Sequence, residues 1–272
     1  MEKIIPIWQP VGYSTHIIAK KVSKKLGVKT SHTGTLDPMA EGVIIVLSGQ
    51  ERLKKKEYAK WPKVYEFDIS FGISTDTFDS LGLIEELSFE NISSLEITQQ
   101  LNSLLPEFQG KYIQKVPPYS AIKVKGKPLH WYARNKKLNS IKLPEKEGTI
   151  FDIQLDDTRE ISTLDLINTQ LEKISKVSGD LRQEKITNQW QEFLSNKKLP
   201  EKTLVAKIKV KISKGLYIRR LSQDICKQLG VPGFVSKLVR LQNGTYTKEN
   251  FKTLSEVFGK RFRREYDFDS KF

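Results

Sequence analysis

The chain has 272 residues, with 46 lysines and arginines against 32 aspartates and glutamates, a formal charge of +14. A chain of this length forms one large domain or two small ones and buries about 75 % of its unfolded surface, so it needs no disulfide or metal to hold a core. The only cysteine, Cys226, rules out an intramolecular disulfide and a cysteine-based zinc site; three histidines argue against a His-rich metal site, and no apolar run reaches the roughly 20 residues of a membrane span.

Taken in chain order, the pattern predicts mixed elements. Ser14 or Thr15 caps a helix carrying Ile18, Val22 and Leu26 at four-residue spacing, with Gly27 where a C-terminal cap belongs. A polar loop follows, then the continuous apolar run Val43–Leu47, long enough for a buried strand. Val64–Phe71 alternates, with Tyr65, Phe67, Ile69 and Phe71 on one face and Glu66, Asp68 and Ser70 on the other, which predicts a half-buried strand. Asn91–Leu105 reads as a helix through Ile92, Leu95 and Leu101. Apolar residues at Ile167, Leu171, Ile174 and Leu181 predict a helix over 164–181 spanning about 27 Å. It forms half of a helical insertion at about 152–200 that continues to Trp190, Phe193 and Leu194 and ends at Pro200. Ala206, Ile208, Val210 and Ile212 alternate with Lys207, Lys209 and Lys211, a strand with one basic face; Leu221, Ile225 and Leu229 then mark a helix closed by Gly230. Strands and helices mix without a regular βαβ rhythm, so the expected class is α+β.

The charge is unevenly placed. Residues 1–60 hold 11 basic and 5 acidic side chains, 61–110 hold 1 and 9, 111–142 hold 9 and none, 152–200 hold 7 and 9, and 202–240 hold 10 and 1. Three basic blocks are thus separated by acidic or near-neutral stretches. In the 111–142 block, lysines interleave with Tyr112, Tyr119, Trp131 and Tyr132. Cations neutralise phosphates and flat rings stack on bases, which suits single-stranded or looped RNA. A solvated lysine-rich face would look similar for any one block. The expected protein is soluble and cytoplasmic, with nucleic acid as its polyanionic partner.

The most informative stretch is Ser31-His32-Thr33-Gly34-Thr35-Leu36-Asp37-Pro38-Met39-Ala40-Glu41-Gly42. The proline restricts Asp37 toward extended geometry and so fixes the direction of its carboxylate. Composition leaves two readings open: a turn in which Asp37 bonds local amides, or a loop that aims a carboxylate at a ligand.

This stretch, with three others, resembles the TruB family of tRNA pseudouridine synthases. Pro10-Val11-Gly12-Tyr13-Ser14 with His32-Thr33-Gly34-Thr35-Leu36-Asp37-Pro38 resembles the family's first motif. Lys63-Val64-Tyr65 with Gly72-Ile73-Ser74-Thr75-Asp76-Thr77-Phe78-Asp79-Ser80-Leu81-Gly82 resembles the second. Gln114-Lys115-Val116-Pro117-Pro118-Tyr119-Ser120-Ala121-Ile122-Lys123, then Gly126 and Tyr132-Ala133-Arg134, resembles the third with slightly different spacing. Ser213-Lys214-Gly215-Leu216-Tyr217-Ile218-Arg219-Arg220-Leu221 with Asp224-Ile225 resembles the fourth. The resemblance implies the pseudouridine-synthase catalytic fold, a central, mostly antiparallel sheet flanked by helices with the three basic blocks around its cleft. It also implies isomerisation of uridine 55 in the tRNA T-loop. Asp37 is then the catalytic aspartate, as nucleophile or as base toward the sugar. Arg219 is its arginine partner, and Tyr65 stacks on the flipped uracil and assists proton transfer. Tyr217, Leu238 and His32 contact substrate, His32 filling the space that the base vacates. No redox step or energy input is involved, so neither cofactor nor metal is implied.

The chain departs from the family pattern at Trp8-Gln9, Ser31 and Val239, and these departures are expected to alter RNA contacts rather than catalysis. Residues 1–245 are expected to form the catalytic domain, with 152–200 as a packed helical elaboration. Residues 246–272 form a short tail with no PUA domain, in which Lys260, Arg261, Arg263 and Arg264 are a frayed end or a phosphate contact. The expected partner is the T-arm and loop of tRNA, bound by a monomer without an obligate protein partner. A second class of function, RNA binding or tRNA folding without catalysis, would need the basic blocks but not Asp37. A protein-interaction scaffold built on the 164–181 stripe has only that stripe behind it.

Overall fold

The computed structural model describes residues 3–89, 93–195 and 199–259. Strand β1 (Ile4–Gln9) leads to helix α1 (Thr15–Leu26), whose Ile18 and Val22 are buried and whose end is turned by Gly27 at φ +66°. Ser14 holds the N-cap position, but its hydroxyl makes no capping bond. Short β2 (Thr30–His32) and buried β3 (Glu41–Ser48) follow, then the four-residue α2 (Lys55–Tyr58) and β4 (Lys63–Phe71).

The chain continues through β5 (Ile73–Thr75), β6 (Ile84–Leu87), α3 (Ser94–Leu104), β7 (Gly110–Lys115), β8 (Lys123–Val124), β9 (Lys127–Pro128) and α4 (Leu129–Arg134). Next come the long β10 (Glu145–Ser162), helices α5 (Thr163–Ser175) and α6 (Gln183–Leu194), β11 (Lys202–Ile212) and α7 (Ile218–Leu229). Strand β12 (Gly233–Asn243), β13 (Tyr246–Thr247) and α8 (Leu254–Phe258) complete the described elements.

These elements form two compact units. The first comprises the described residues within 1–66, 172–183 and 238–272; the second comprises those within 67–171 and 184–237. In the first, β1 and β2 pair antiparallel with β3, while β12 joins β3 in parallel through Val239↔Glu41 and Arg240↔Gly42. In the second, the strand order is β12-β4-β11-β10-β7, with β10 antiparallel to both of its neighbours. The α+β class with a mixed, mostly antiparallel sheet is as expected.

Four local expectations need correction. Strand β4 is not half-buried over its second half: Asp68 and Ser70 are 4 % and 0 % exposed. The strand lies inside the sheet, and both groups find partners there, Asp68 in the Arg159 guanidinium at 2.6 Å and Ser70 in the Ser236 hydroxyl at 2.7 Å. Helix α3 starts at Ser94 behind the Ser93 cap, and its inward stripe is Ile97–Leu101, while Leu95 faces solvent; Asn91 and Ile92 lie outside the described residues. The predicted 164–181 helix ends at Ser175, because Val177, Ser178 and Gly179 are poor helix formers. The Ser178 amide instead donates to the Gly12 carbonyl at 3.3 Å, and Leu181 leaves the stripe. The 152–200 region is therefore not wholly helical: 152–162 belongs to β10, and two helices fill the rest, burying Ile167, Ile174, Ile186, Trp190 and Phe193.

Within the expected tail, the described residues 246–259 carry β13 and α8. The Trp8 amide donates to the Lys252 carbonyl, the Lys252 amide donates to Pro6, and α8 starts with a reciprocal cap between Thr253 and Glu256. Lys260, Arg261, Arg263 and Arg264 lie outside the described residues.

Candidate active site

In the first unit, the Asp37 loop leaves β2 and returns into β3. Three fastenings grip its backbone. The Gly12 amide donates to the Pro38 carbonyl at 2.8 Å, and the Ala40 amide closes a turn onto the Asp37 carbonyl at 3.0 Å. The third is centred on Gln9, which is fully buried. Its Nε2 donates to the Tyr13 carbonyl at 3.0 Å and lies 3.5 Å from the carbonyls of Leu36 and Asp37. Its Oε1 accepts from the Thr15 hydroxyl at 2.6 Å, and that hydroxyl accepts from the Leu36 amide at 3.0 Å. A buried amide satisfied on both ends costs little and fixes the segment entering Asp37. Asp37 itself is half-buried.

Tyr65 of β4 is almost fully buried, and its hydroxyl accepts from Arg240 Nη1 at 3.4 Å. Arg240, 1 % exposed, also donates from Nε to the Val43 carbonyl at 2.7 Å and from Nη2 to the Gly34 carbonyl at 3.4 Å. One guanidinium thus ties β3, the Asp37 loop and Tyr65 together. The parallel pairing that brings it there depends on Gly42, where a Cβ would fall 2.4 Å from the Arg240 carbonyl oxygen. Leu238 is buried two residues before Arg240 and shares its face of β12.

His32 ends β2, half-buried, with Nδ1 enclosed and unpartnered. Burial first, then the positive charges of Lys55, His16 and Arg240, push its imidazole down to about 4, opposed by a hydrogen bond with the Gly34 backbone. It is a neutral ring at physiological pH.

In the second unit, Arg219 of α7 is 5 % exposed. Its Nη1 donates to the Thr77 carbonyl at 2.7 Å, its Nη2 to the Tyr119 carbonyl at 3.4 Å, and its Nε stands 3.5 Å from Asp79 Oδ2. Asp79 Oδ1 accepts from the Thr77 hydroxyl at 2.7 Å and the Leu81 amide at 2.9 Å. Between Thr77 and Asp79, Phe78 sits at φ +67°, a left-handed conformation that costs a non-glycine residue about 1–3 kcal/mol unless its surroundings impose it. The hydrogen bonds on both sides of Phe78 do so. Tyr217, at the N-cap of α7, is held through its backbone by the buried Gln114, whose Oε1 accepts from the Tyr217 amide at 2.6 Å and whose Nε2 donates to its carbonyl at 3.3 Å.

The structure therefore places His32, Asp37, Tyr65 and Leu238 in the first unit and Tyr217 and Arg219 in the second. It also identifies groups that the sequence reading passed over. Gln9 and Val239, two of the departures from the family pattern, are both buried, and Gln9 fastens the Asp37 loop. Ser31 is half-buried, 3.4 Å from the Arg52 carbonyl, and Trp8 packs on Phe251 with ring centroids 5.0 Å apart. The aromatics of 111–142 are also largely committed. The Tyr112 hydroxyl bonds Asp224, that of Tyr119 bonds Asp76, that of Tyr132 bonds the Val124 carbonyl, and Lys127 covers the Trp131 ring at 3.7 Å. The visible signals were Gln114 and Asp79 inside motifs; Arg240 is an arginine next to the departure at Val239.

A groove of about 660 Å³ in the second unit runs beside Asp76, Glu85, Glu184, Gln189 and Glu192. Burial, then Asp76, raises the Glu85 carboxyl above the usual range. Four carboxylic side chains against the one lysine, Lys185, make this lining acidic. Among the described residues, no group of three or more His, Cys, Asp or Glu is arranged to hold a metal ion. No helix there is long and apolar enough to cross a membrane.

Solved structures share this architecture. The chain in the structure titled "Crystal Structure of a Cbf5-Nop10-Gar1 Complex" superposes over 98 % of this chain at a TM-score of 0.56 and 19 % identity. The present chain spans 57 % of that chain. A second, "Structure of H/ACA RNP bound to a substrate RNA containing 2'-deoxyuridine", superposes at 0.54 with 17 % identity, covering 98 % of this chain and 56 % of that one. The fold is the α+β fold of pseudouridine synthases.

In sequence, the family described as "TruB family pseudouridylate synthase (N terminal domain)" matches residues 20–175. The tRNA pseudouridine synthase B of Caldanaerobacter subterraneus subsp. tengcongensis is 33 % identical over 259 residues, 94 % of this chain and 74 % of the relative. That of Oceanobacillus iheyensis is 30 % identical over 258 residues, 94 % and 70 %. That of Aquifex aeolicus is 28 % identical over 267 residues, 98 % and 77 %. The chain belongs to the TruB family of pseudouridylate synthases.

Proposed function

We propose that this protein converts uridine 55 in the T-loop of tRNA to pseudouridine, acting as a monomer in the cytoplasm. The observation that carries the reading is the Asp37 loop: a carboxylate on a restricted pre-proline residue, its backbone fastened by Gln9, Gly12 and Ala40, with Arg240 joining Gly34 of the same loop to Tyr65. Family membership and the names of the relatives support it. The reaction breaks the N1–C1′ bond, turns the uracil, forms C5–C1′ and moves the C5 proton, with no net change of composition. The Asp37 carboxylate serves as nucleophile or as base toward the sugar, and Arg219 is the guanidinium that the family pattern assigns to that carboxylate. Tyr65 stacks on the flipped uracil, and Tyr217 and Leu238 contact it. The neutral His32 ring fills the gap left in the RNA, offsetting an extrusion cost of a few kcal/mol.

The test is incubation with an unmodified tRNA transcript and site-resolved detection of pseudouridine. Product is expected at position 55, and Asp37→Asn is expected to abolish it while tRNA affinity stays largely intact. A folded wild-type protein that leaves position 55 unmodified sinks the assignment. Product undiminished in Asp37→Asn removes Asp37 from the chemistry. A light-scattering mass of two chains would remove the monomer.

A further inference from the structure

Helix α6 lies outside every motif that carries the family resemblance, yet two of its side chains are spent on backbone atoms of the stretch that ends the second motif. Gln189 pairs with Ile84 in both directions: its Oε1 accepts from the Ile84 amide at 2.8 Å and its Nε2 donates to the Ile84 carbonyl at 3.1 Å. A side-chain amide here does what a neighbouring strand would do for β6. One residue on, the Trp190 indole donates to the Gly82 carbonyl at 3.2 Å, while its fully buried ring packs on Phe234.

The path from these contacts to Arg219 is short and stays within the second unit. The Leu83 amide donates to Asp76 Oδ1 at 2.9 Å, and the Asp76 amide donates to the Leu83 carbonyl at 3.0 Å, so the two ends of the loop are tied. Gly82 lies against that tie so closely that a Cβ would fall 2.4 Å from Thr77 Oγ1. Asp76 Oδ2 accepts from the Tyr119 hydroxyl at 2.8 Å. Thr77, Asp79 and Tyr119 are the groups that receive the guanidinium of Arg219. A shift of Gly82–Ile84 therefore reaches all three.

We propose that α6 is a strap, and that Gln189 and Trp190 are positioning residues that fix the 76–84 loop and through it the direction of Arg219. This rests on the reading of Arg219 as part of the catalytic set. A helix that only added stability would change the unfolding midpoint and nothing at the guanidinium; a strap changes the guanidinium in a protein that remains folded.

Gln189→Leu removes both bonds to Ile84 at a half-buried position, and Trp190→Phe removes the indole donor while keeping one aromatic ring at a fully buried position. Two readouts are taken on each folded variant. One is the NMR signal of the Arg219 Nε–H, assigned by its loss in Arg219→Lys. The other is the single-turnover rate of pseudouridine formation at saturating enzyme, with tRNA affinity measured alongside. In Gln189→Leu the Nε–H signal is expected to shift or broaden. The rate is expected to fall about tenfold at unchanged affinity, inside the roughly hundredfold that ångström-scale misplacement can cost. In an Asp79→Asn background the same substitution is expected to cost less than threefold, because the grip it acts through is already broken. An unmoved Nε–H signal, an unmoved rate, or the same tenfold loss in both backgrounds overturns the strap. A wild-type protein that makes no pseudouridine overturns the functional reading instead, and the two failures are told apart by the Nε–H signal, which would still answer to Gln189→Leu.

Discussion

The surroundings of Asp37 and those of Arg219 immobilise a functional group by opposite means. Around Asp37 the contacts described above fall mainly on main chain: the Gly12 and Ala40 amides, the Gln9 amide, the Thr15 hydroxyl and the Arg240 guanidinium bond backbone groups of the loop and its neighbours, and Arg240 reaches the Tyr65 hydroxyl as well. Around Arg219 the head group itself is held, with the Asp79 carboxylate and the carbonyls of Thr77 and Tyr119 among its partners. A backbone grip, with Pro38 restricting Asp37, sets where a side chain starts and in which direction it leaves. A head-group grip fixes the charge directly and makes it costly to disturb. The first is a network of shared small contributions, and the second depends on a few groups.

The comparison breaks most forcefully at Asp79. Asp79→Asn takes the Asp79 carboxylate away from a guanidinium 5 % exposed, and breaking a buried pair costs about 3 kcal/mol or more. The unfolding free energy from a urea titration should fall by that amount, at unchanged slope and so with a lower midpoint, with the single-turnover rate falling too. A loss below about 1 kcal/mol would show that the carbonyls of Thr77 and Tyr119 hold Arg219 without the ion pair.

Gln9→Leu probes the other grip and should cost less. It removes the Gln9 donor from the Tyr13 carbonyl and the acceptor of the buried Thr15 hydroxyl, at a cost of about 1–3 kcal/mol in total. The variant should keep most tRNA affinity and lose rate, since Gln9 is interior and grips the loop rather than RNA. Lost affinity with an unchanged rate would restore the view that this position serves RNA contact.

How much of this could be read from the residues differs between the two grips. The elements that carry Arg219 followed from pattern: the Leu221–Ile225–Leu229 stripe and Gly230 give α7, and Gly230 does adopt the left-handed cap at φ +69°. Asp37 and its pre-proline restraint were also visible. Gln9 was not, because its meaning lies in partners up to 28 positions away and nothing local distinguishes a buried amide from a surface one. The burial of Asp68 and Ser70 was hidden for a related reason. Alternation reports the apolar face of a strand and is silent on whether polar groups opposite will meet Arg159 or Ser236. The break after Ser175 was present in Val177-Ser178-Gly179, but the apolar period ran through it and outweighed the propensities. Leu95 shows the converse error, an apolar residue counted into a stripe that the real face of α3 bypasses.

The smallest expected effect lies at His32 and sharpens the contrast. Burial and the charges of Lys55, His16 and Arg240 hold its folded pKa at about 4, against about 6.5 in an unfolded chain. As pH falls below about 6.5, the unfolded state takes up a proton that the folded state refuses. This contribution to stability is therefore lost progressively between about 6.5 and about 4, and levels off below. Urea midpoints of wild type and His32→Leu at pH 7 and pH 5 isolate the effect, because every other titrating group is common to both. The wild type should lose more stability across that interval than the variant. Parallel losses would mean that the ring accepts its proton without penalty. The direction follows from how the first unit is built: burial and the charges of Lys55, His16 and Arg240 around the ring all oppose a further positive charge. Beside Arg219, the Asp79 carboxylate places a negative charge 3.5 Å from the guanidinium.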